Sequence, residues 1–219
     1  MVLLPTRLFA LTSFLGFLAL SGRANAQAVE SAEGERYRAP PTERRGGFHL
    51  GLMSGAGYGG VVGYPNNLGQ IDNPAYRQSV GGLATATGLW LGGMLRDWLG
   101  VGVGASMLSA LEKEQQAATF AFVLHVEAFP AFALGETWRD VGVLAEFGAG
   151  GGVVLDDAQQ EQANGGALSV IGIGAFWEPW KFWHISAGPA LQYSYRFSES
   201  MHAHGVSLGL RVAFYGVQP

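Results

Sequence analysis

From Phe48 onward the chain alternates with a period of two, with large apolar residues on one parity and small or polar residues on the other. That pattern marks strands with two unlike faces. Eight such segments can be traced. The first, Phe48 to Tyr58, sets Phe48, Leu50, Leu52, Ala56 and Tyr58 against His49, Gly51, Gly55 and Gly57. The second lies near Gly81 to Gly92, with Leu83, Leu89 and Leu91 on one side and Trp90 on the other. In the third, Leu99, Val101, Val103, Ala105 and Met107 oppose Gly100, Gly102, Gly104 and Ser106. The fourth, Thr119 to Phe129, places Phe120, Phe122, Leu124 and Val126 opposite Ala121, Val123, His125 and Glu127. Val141 to Ala149, Ile171 to Trp177, Phe182 to Phe197 and Val206 to Phe214 complete the set, with Glu146, Gln192, Arg196 and Arg211 on the minority parity. Helices are excluded where glycine recurs at alternate positions, since each would cost a helix roughly 1 kcal/mol relative to alanine.

The sidedness carries the argument about class. A soluble barrel or sandwich turns its large apolar side chains inward and its polar ones toward water. Here the minority face is glycine, alanine and serine with isolated ionisable groups. Such a face suits the inside of a narrow closed barrel, and the bulky face suits lipid. An even number of strands, each about 9 to 11 residues long, also suits a tilted bilayer crossing. The expectation is therefore an all-β, eight-stranded antiparallel up-and-down transmembrane β-barrel. A lipocalin-like soluble barrel has the same strand number and is the alternative. The two differ in whether Leu99, Val101 and Val103 point outward or inward.

The chain before Phe48 is different. Arg7 precedes the apolar run Leu8 to Leu20, and Ala24-Asn25-Ala26 follows. A basic start, a short apolar stretch and a small-x-small site predict a signal peptide over residues 1–26, because a helix needs about 20 apolar residues to span a bilayer. Residues 27–46 are polar, contain Pro40-Pro41 and show no period. They are expected to form a flexible periplasmic leader, with Arg36, Arg38, Arg44 and Arg45 as a solvated charge run. The barrel is assigned to residues 47–219.

Composition narrows the chemistry. The chain has 34 Gly in 219 residues, no Cys and a formal charge of −4. That excludes a disulfide framework and cysteine-ligated metals, and an acidic chain without clustered Lys and Arg is a poor partner for nucleic acid. No cofactor and no metal site is expected. His202-x-His204 has the spacing of a metal pair in a strand, but no third ligand stands near it in sequence.

Connections after segments one, three, five and seven (Gly59 to Val80, Leu108 to Ala118, Leu155 to Gly166, Ser198 to His204) are mostly longer and more polar than the others. Long loops belong on the cell exterior and short turns in the periplasm. With that orientation Trp90, Trp98, Trp138, Trp177, Trp180 and Trp183 fall beside the periplasmic turns, while Tyr58, Tyr193 and Tyr195 fall at the opposite rim. They are expected to form two aromatic girdles. The outer loops carry Asp72, Glu112, Glu114, Asp156, Asp157, Glu161 and Glu199 against Arg77 and Lys113, which keeps them solvated.

Phe48 to Tyr215 resembles the small eight-stranded outer-membrane barrel proteins of Gram-negative bacteria, the OmpA/OmpX-like superfamily. The segment Leu124-His125-Val126-Glu127-Ala128-Phe129-Pro130 resembles a descending strand entering a turn in such barrels. Ser207-x-Gly209-x-x-Val212-x-Phe214 resembles their signal for the barrel assembly machinery, although Tyr215 to Pro219 continue past the usual terminal aromatic. The resemblance implies an integral protein of the bacterial outer membrane, partnered by lipid, lipopolysaccharide and that machinery, and monomeric.

Inside such a barrel Glu127, Glu146 and Arg211 should share a level, Arg211 reaching Glu127 or Glu146, with His125, Gln192 and Arg196 nearer the outer mouth. An eight-stranded lumen is just wide enough to be filled by side chains. The expected role is thus structural, or a surface interaction through the outer loops, with the lumen plugged and no enzymatic activity. A narrow pore for small solutes or ions is the alternative. A lipid A-modifying enzyme, resting on His184 and Ser186 as a base and hydroxyl, is a weaker third.

Overall fold

The computed structural model describes residues 45–112, 115–134 and 138–216. The expected signal peptide, residues 1–26, and almost all of the expected leader, residues 27–46, lie outside the described residues. Ten strands appear in chain order: β1 (Gly47–Gly63), β2 (Gln78–Arg96), β3 (Leu99–Glu112), β4 (Gln115–Ala128), β5 (Val141–Asp156), β6 (Glu161–Asn164), β7 (Leu168–Trp177), β8 (Trp180–Phe182), β9 (Ile185–Phe197) and β10 (Met201–Tyr215). Eight of them form a ring in the order β1-β2-β3-β4-β5-β7-β9-β10, each antiparallel to its neighbours. The ring closes where β10 pairs β1, in register from His49 with Tyr215 to Gly63 with Met201. The short β6 extends the outer end of β5, and β8 makes a tight hairpin onto the start of β9.

The alternation resolves as the membrane reading requires. Val103 is 64 % exposed, Phe122 71 % and Leu208 64 %, while Gly100 and Gly102 are buried. Large apolar side chains stand outward on every ring strand, among them Leu52, Leu89, Val103, Phe122, Phe147, Ile173, Leu191 and Leu208. A soluble monomer rarely leaves a contiguous apolar patch beyond a few hundred Å². A belt encircling the molecule needs an apolar surrounding.

The inward glycines have a steric reason. An added Cβ at Gly51 would fall on the Trp90 ring, one at Gly142 on the Phe176 ring, and one at Gly100 against Met94 and Glu127. Bare backbone on one strand makes room for a large inward side chain from elsewhere in the wall. This is how so narrow a ring holds Trp, Phe and Arg without expanding.

Three expectations need correction. The strands run farther than the alternation suggested: β1 and β2 continue to Gly63 and from Gln78, and β3 and β4 meet across Glu112 and Gln115. At this end the inward face changes to larger apolar residues, with Val61, Val80, Leu108, Val154, Leu168 and Met201 packed as one buried cluster. A parity contrast of bulky-out and small-in therefore fades where both faces are apolar. The seventh segment is also not continuous. Phe182 belongs to β8, and the chain turns at Trp183-His184, with Trp183 at φ 55°. Finally, His202 and His204 lie on the outward face of β10 and not in a loop.

Gly51→Ala should force Trp90 out of its seat and lower stability by about 1–3 kcal/mol, the usual range for overpacking. Urea titration followed by Trp fluorescence checks it; an unchanged midpoint would mean that Trp90 does not lie against Gly51.

Candidate functional site: a polar ladder in the lumen

Each strand delivers its inward residues by parity, so the site can be built strand by strand. β4 presents His125 and Glu127, β5 presents Glu146, β9 presents Gln192 and Arg196, and β10 presents Arg211. All six are buried. At the rim where the strands begin and end, Arg45, Asp140, Glu178 and Tyr215 are buried beside them.

The contacts form a ladder. At the rim, Arg45 Nη2 pairs with Asp140 Oδ1 and lies 3.5 Å from Glu178 Oε2, while its guanidinium stacks 3.8 Å above the Phe129 ring centre. Lys181 Nζ adds a 2.7 Å contact to the other Asp140 oxygen. One step inward, Arg211 Nε donates to Glu178 Oε1 at 2.9 Å and Arg211 Nη2 donates to Glu127 Oε2. Tyr215 Oη donates to Glu178 Oε1 at 2.9 Å, which ties the last strand into the same group. The Arg211 guanidinium is held between rings, 3.9 Å from the Phe176 centre and 4.5 Å from that of Trp90.

Above this pair, His125 Nε2 stands 3.5 Å from Glu127 Oε2 and His125 Nδ1 lies 3.0 Å from Glu146 Oε1. Gln192 Nε2 donates to Glu146 Oε2 at 2.8 Å. The indole of Trp90 stacks on the His125 ring at 4.4 Å. Farther toward the hairpin end, Arg196 crosses the lumen and donates from Nη2 to Ser106 Oγ at 3.1 Å and from Nη1 to Ser106 O at 3.4 Å.

Several placements differ from expectation. Arg211 reaches Glu127, one of its two expected partners, but its second partner is Glu178; Glu146 is held by His125 and Gln192. His125 lies above the Arg211–Glu127 pair but level with Glu146, bridging the two carboxylates instead of standing clear of them. Trp90 leaves the girdle: it is 1 % exposed and fills the lumen. Its parity already opposed Leu89 and Leu91, and that face wins. Trp98, Trp138, Trp177, Trp180 and Trp183 are exposed near the turns at the terminal rim, and Tyr58 and Tyr193 are exposed farther along the wall. Arg45 is no part of a solvated leader, because two carboxylates and a ring enclose it and Gly46 N–H donates to Gly216 O. His184 and Ser186 form no lumenal dyad; the His184 ring packs on Trp183 and Phe214 in the turn. Of the assembly-signal residues, Ser207 and Gly209 face inward and Val212 and Phe214 face outward on β10.

Arg45, Asp140, Glu178 and Tyr215 were missed, yet each extends a visible parity. Arg45 precedes Gly47 and His49, Asp140 precedes Gly142 and Leu144, Glu178 follows Phe176, and Tyr215 follows Arg211 and Ala213. Among the described residues no group of three or more His, Asp or Glu side chains is arranged so that it could hold a metal ion.

No family model matches the chain, and no curated protein matches it in sequence. Solved structures of low similarity include Neisserial surface protein A (TM-score 0.47, 9 % identity, 75 % of this chain and 96 % of that one). Another is Ail of Yersinia pestis, crystallised with the heparin analogue sucrose octasulfate (TM-score 0.43, 12 % identity, 75 % and 99 %). A third is the outer membrane protein OprG of Pseudomonas aeruginosa (TM-score 0.37, 12 % identity, 79 % and 98 %).

Removing one member of a buried, hydrogen-bonded ion pair typically costs about 3–5 kcal/mol, because the remaining charge stays in low dielectric. Arg211→Met should reach that range by stranding Glu127 and Glu178 together. Glu146→Gln, whose partners His125 and Gln192 can re-pair with an amide, should cost only about 1–3 kcal/mol. Urea unfolding of the refolded barrel, read by heat-modifiable gel migration, ranks the two; the reverse order would contradict the ladder.

Proposed function

We propose that this chain is an integral β-barrel of the bacterial outer membrane, exported through a cleaved signal peptide, whose lumen is closed by its own side chains. Its role is structural or a surface interaction through the outer hairpins, and not conduction or catalysis. Lipid and lipopolysaccharide surround it, the barrel assembly machinery inserts it, and it works as a monomer.

The outward apolar belt supports the membrane placement: hydrocarbon is the surrounding in which Val103, Phe122 and Leu208 lose nothing by exposure. A closed ring also leaves no unpaired strand edge, which a bilayer does not tolerate. The observation that carries the plug is the filling of the lumen in two stacked parts. The ion-paired ladder and its rings occupy the terminal half, and the Val61, Leu108, Leu168 and Met201 cluster occupies the other. An ion entering from either rim would have to displace a buried ion pair or cross a dry apolar segment.

Val103→Arg tests the membrane placement. In phospholipid vesicles it should lower stability by about 2–4 kcal/mol, the penalty for a cation on the lipid face near the midplane. A soluble barrel would register the same change within about 0.5 kcal/mol. In planar bilayers the purified barrel should give no discrete conductance steps; regular steps that disappear in Arg211→Ala would replace the plug by the narrow-pore reading.

A further inference from the structure

The outer third of the wall is not alike all round. On β9, β10 and β1 its outward residues include Tyr195, Phe197, His202, His204 and Tyr58. Among the described residues no outward Tyr or His stands on the outer ends of β2, β3, β4, β5 or β7, where Leu83, Met107, Phe120 and Ile171 carry the apolar belt upward. The rings of the first sector are organised. Tyr195 stacks on Phe197 at 5.4 Å and on His202 at 6.2 Å between ring centres, and Tyr195 Oη lies 3.0 Å from His202 Nδ1. With Nδ1 engaged, Nε2 is the His202 nitrogen left for an outside partner. His204 lies over bare backbone, since a Cβ at Gly60 would meet its Cε1 at 3.2 Å, and the Tyr58 hydroxyl reaches over Gly81 on β2.

Height decides what can reach these groups. Along β1, Tyr58 is ten residues from Phe48 at the terminal rim, and Val62, the partner of His202, is fourteen. At about 3.3 Å per residue and a tilt of about 40°, they stand roughly 25 Å and 35 Å up the wall. The apolar band of a membrane barrel is about 25 Å tall. Tyr58 thus meets its upper edge, and the imidazoles stand at the level of the lipid headgroups. Below them Tyr193, Val206, Leu191 and Leu208 continue the exposed wall without a charged group. An occupant that covers both levels is an amphiphile. Phosphate gives it acceptors for phenol and imidazole N–H groups, and a sugar ring gives it an aliphatic face for aromatic ones. A cationic head has no receiver among the rings, because the carboxylate of this hairpin, Glu199, stands at its tip.

We infer that the outer wall of β9, β10 and β1 seats the phosphorylated sugar headgroup of one lipid A molecule. His202 Nε2 and His204 donate to its phosphate, Tyr58 and Tyr195 line its sugar, and its acyl chains lie along Val206, Leu208 and Leu191. The seat rests on the membrane placement proposed above and adds to it a fixed lipid on one side of the barrel.

The test uses the full-length barrel in phosphatidylcholine nanodiscs, with insertion read separately by heat-modifiable migration. Bisphosphorylated lipid A is titrated in while the imidazole resonances of histidine-labelled protein are followed. His202 and His204 should shift and saturate, whereas His49 and His125, buried in the lumen, serve as internal references. The double variant H202A/H204A should bind lipid A about tenfold more weakly, the loss expected for its hydrogen bonds. Binding in both proteins is read by native mass spectrometry. If that variant does not refold, Tyr195→Phe, which keeps the ring and frees His202 Nδ1, should weaken binding severalfold. Three results overturn the seat in an inserted barrel: no response of His202 and His204 to lipid A, an equal response to phosphatidylglycerol, or affinity unchanged in the variant that refolds. A barrel that does not insert removes the membrane placement, and the seat with it.

Discussion

The pairing of β1 with β10 decides everything else in this molecule. Fifteen residue pairs, from His49–Tyr215 to Gly63–Met201, turn a sheet with two open edges into a ring. Once the ring is closed there is an inside, and the period-two alternation of each strand assigns every side chain to it or to the exterior. Closure also removes the unpaired backbone groups that would be prohibitive in hydrocarbon. A one-residue slip at this seam would be incompatible with the parity of all the other pairings, because it would carry the inward residues of one of the two strands, His49 on β1 or Arg211 on β10, to the outside.

A ring of eight strands leaves little interior volume, and the chain resolves the shortage by contrast. Large inward groups come in a few places and glycine stands opposite them: Gly51 under Trp90, Gly142 under Phe176, Gly100 beside Glu127. The glycine-rich composition is thus the counterpart of the lumen's rings and guanidinium groups. It also explains why the buried charges are fixed. Arg211 is clamped by Phe176 and Trp90 on its flat sides and by Glu127 and Glu178 on its edges, so neither the ring stack nor the ion pairs can shift without disturbing the other.

The alternation made the barrel, the outward belt and the membership of the lumen legible, since these depend only on parity. What it hid was of two kinds. Trp90 was assigned by a habit of composition, tryptophan at a membrane rim, against its own parity between Leu89 and Leu91; the stack on His125 shows the parity prevailing. Asp140, Glu178 and Tyr215 lie one residue past the segments' apparent ends and Arg45 three residues before the first, where the outward neighbours are no longer uniformly bulky. Glu127 as a partner of Arg211 was legible as one of two candidates, but the choice between them and the second partner, Glu178, were not. Strand tilt moves partners around the ring, and no spacing along the chain encodes the distance from β10 to the loop carrying Glu178.

The two halves of the lumen are filled by different kinds of side chain, and their order follows from what each must join. The terminal half collects Arg45, which precedes β1 by two residues, the last strand's Tyr215, and the turns carrying Asp140 and Glu178. Directional, charge-assisted bonds hold four separate chain segments in one geometry, which an apolar contact of similar area would not do, and the planar guanidinium serves here where an ammonium could not, because it stacks and pairs at once. The other half only has to fill space between long hairpins whose register the ladders already fix. Non-directional packing of Val61, Val80, Leu108 and Met201 suffices there. A filling built wholly of ion pairs would repeat the desolvation cost along its whole length, and one built wholly of aliphatic side chains would leave the turns at the rim untethered.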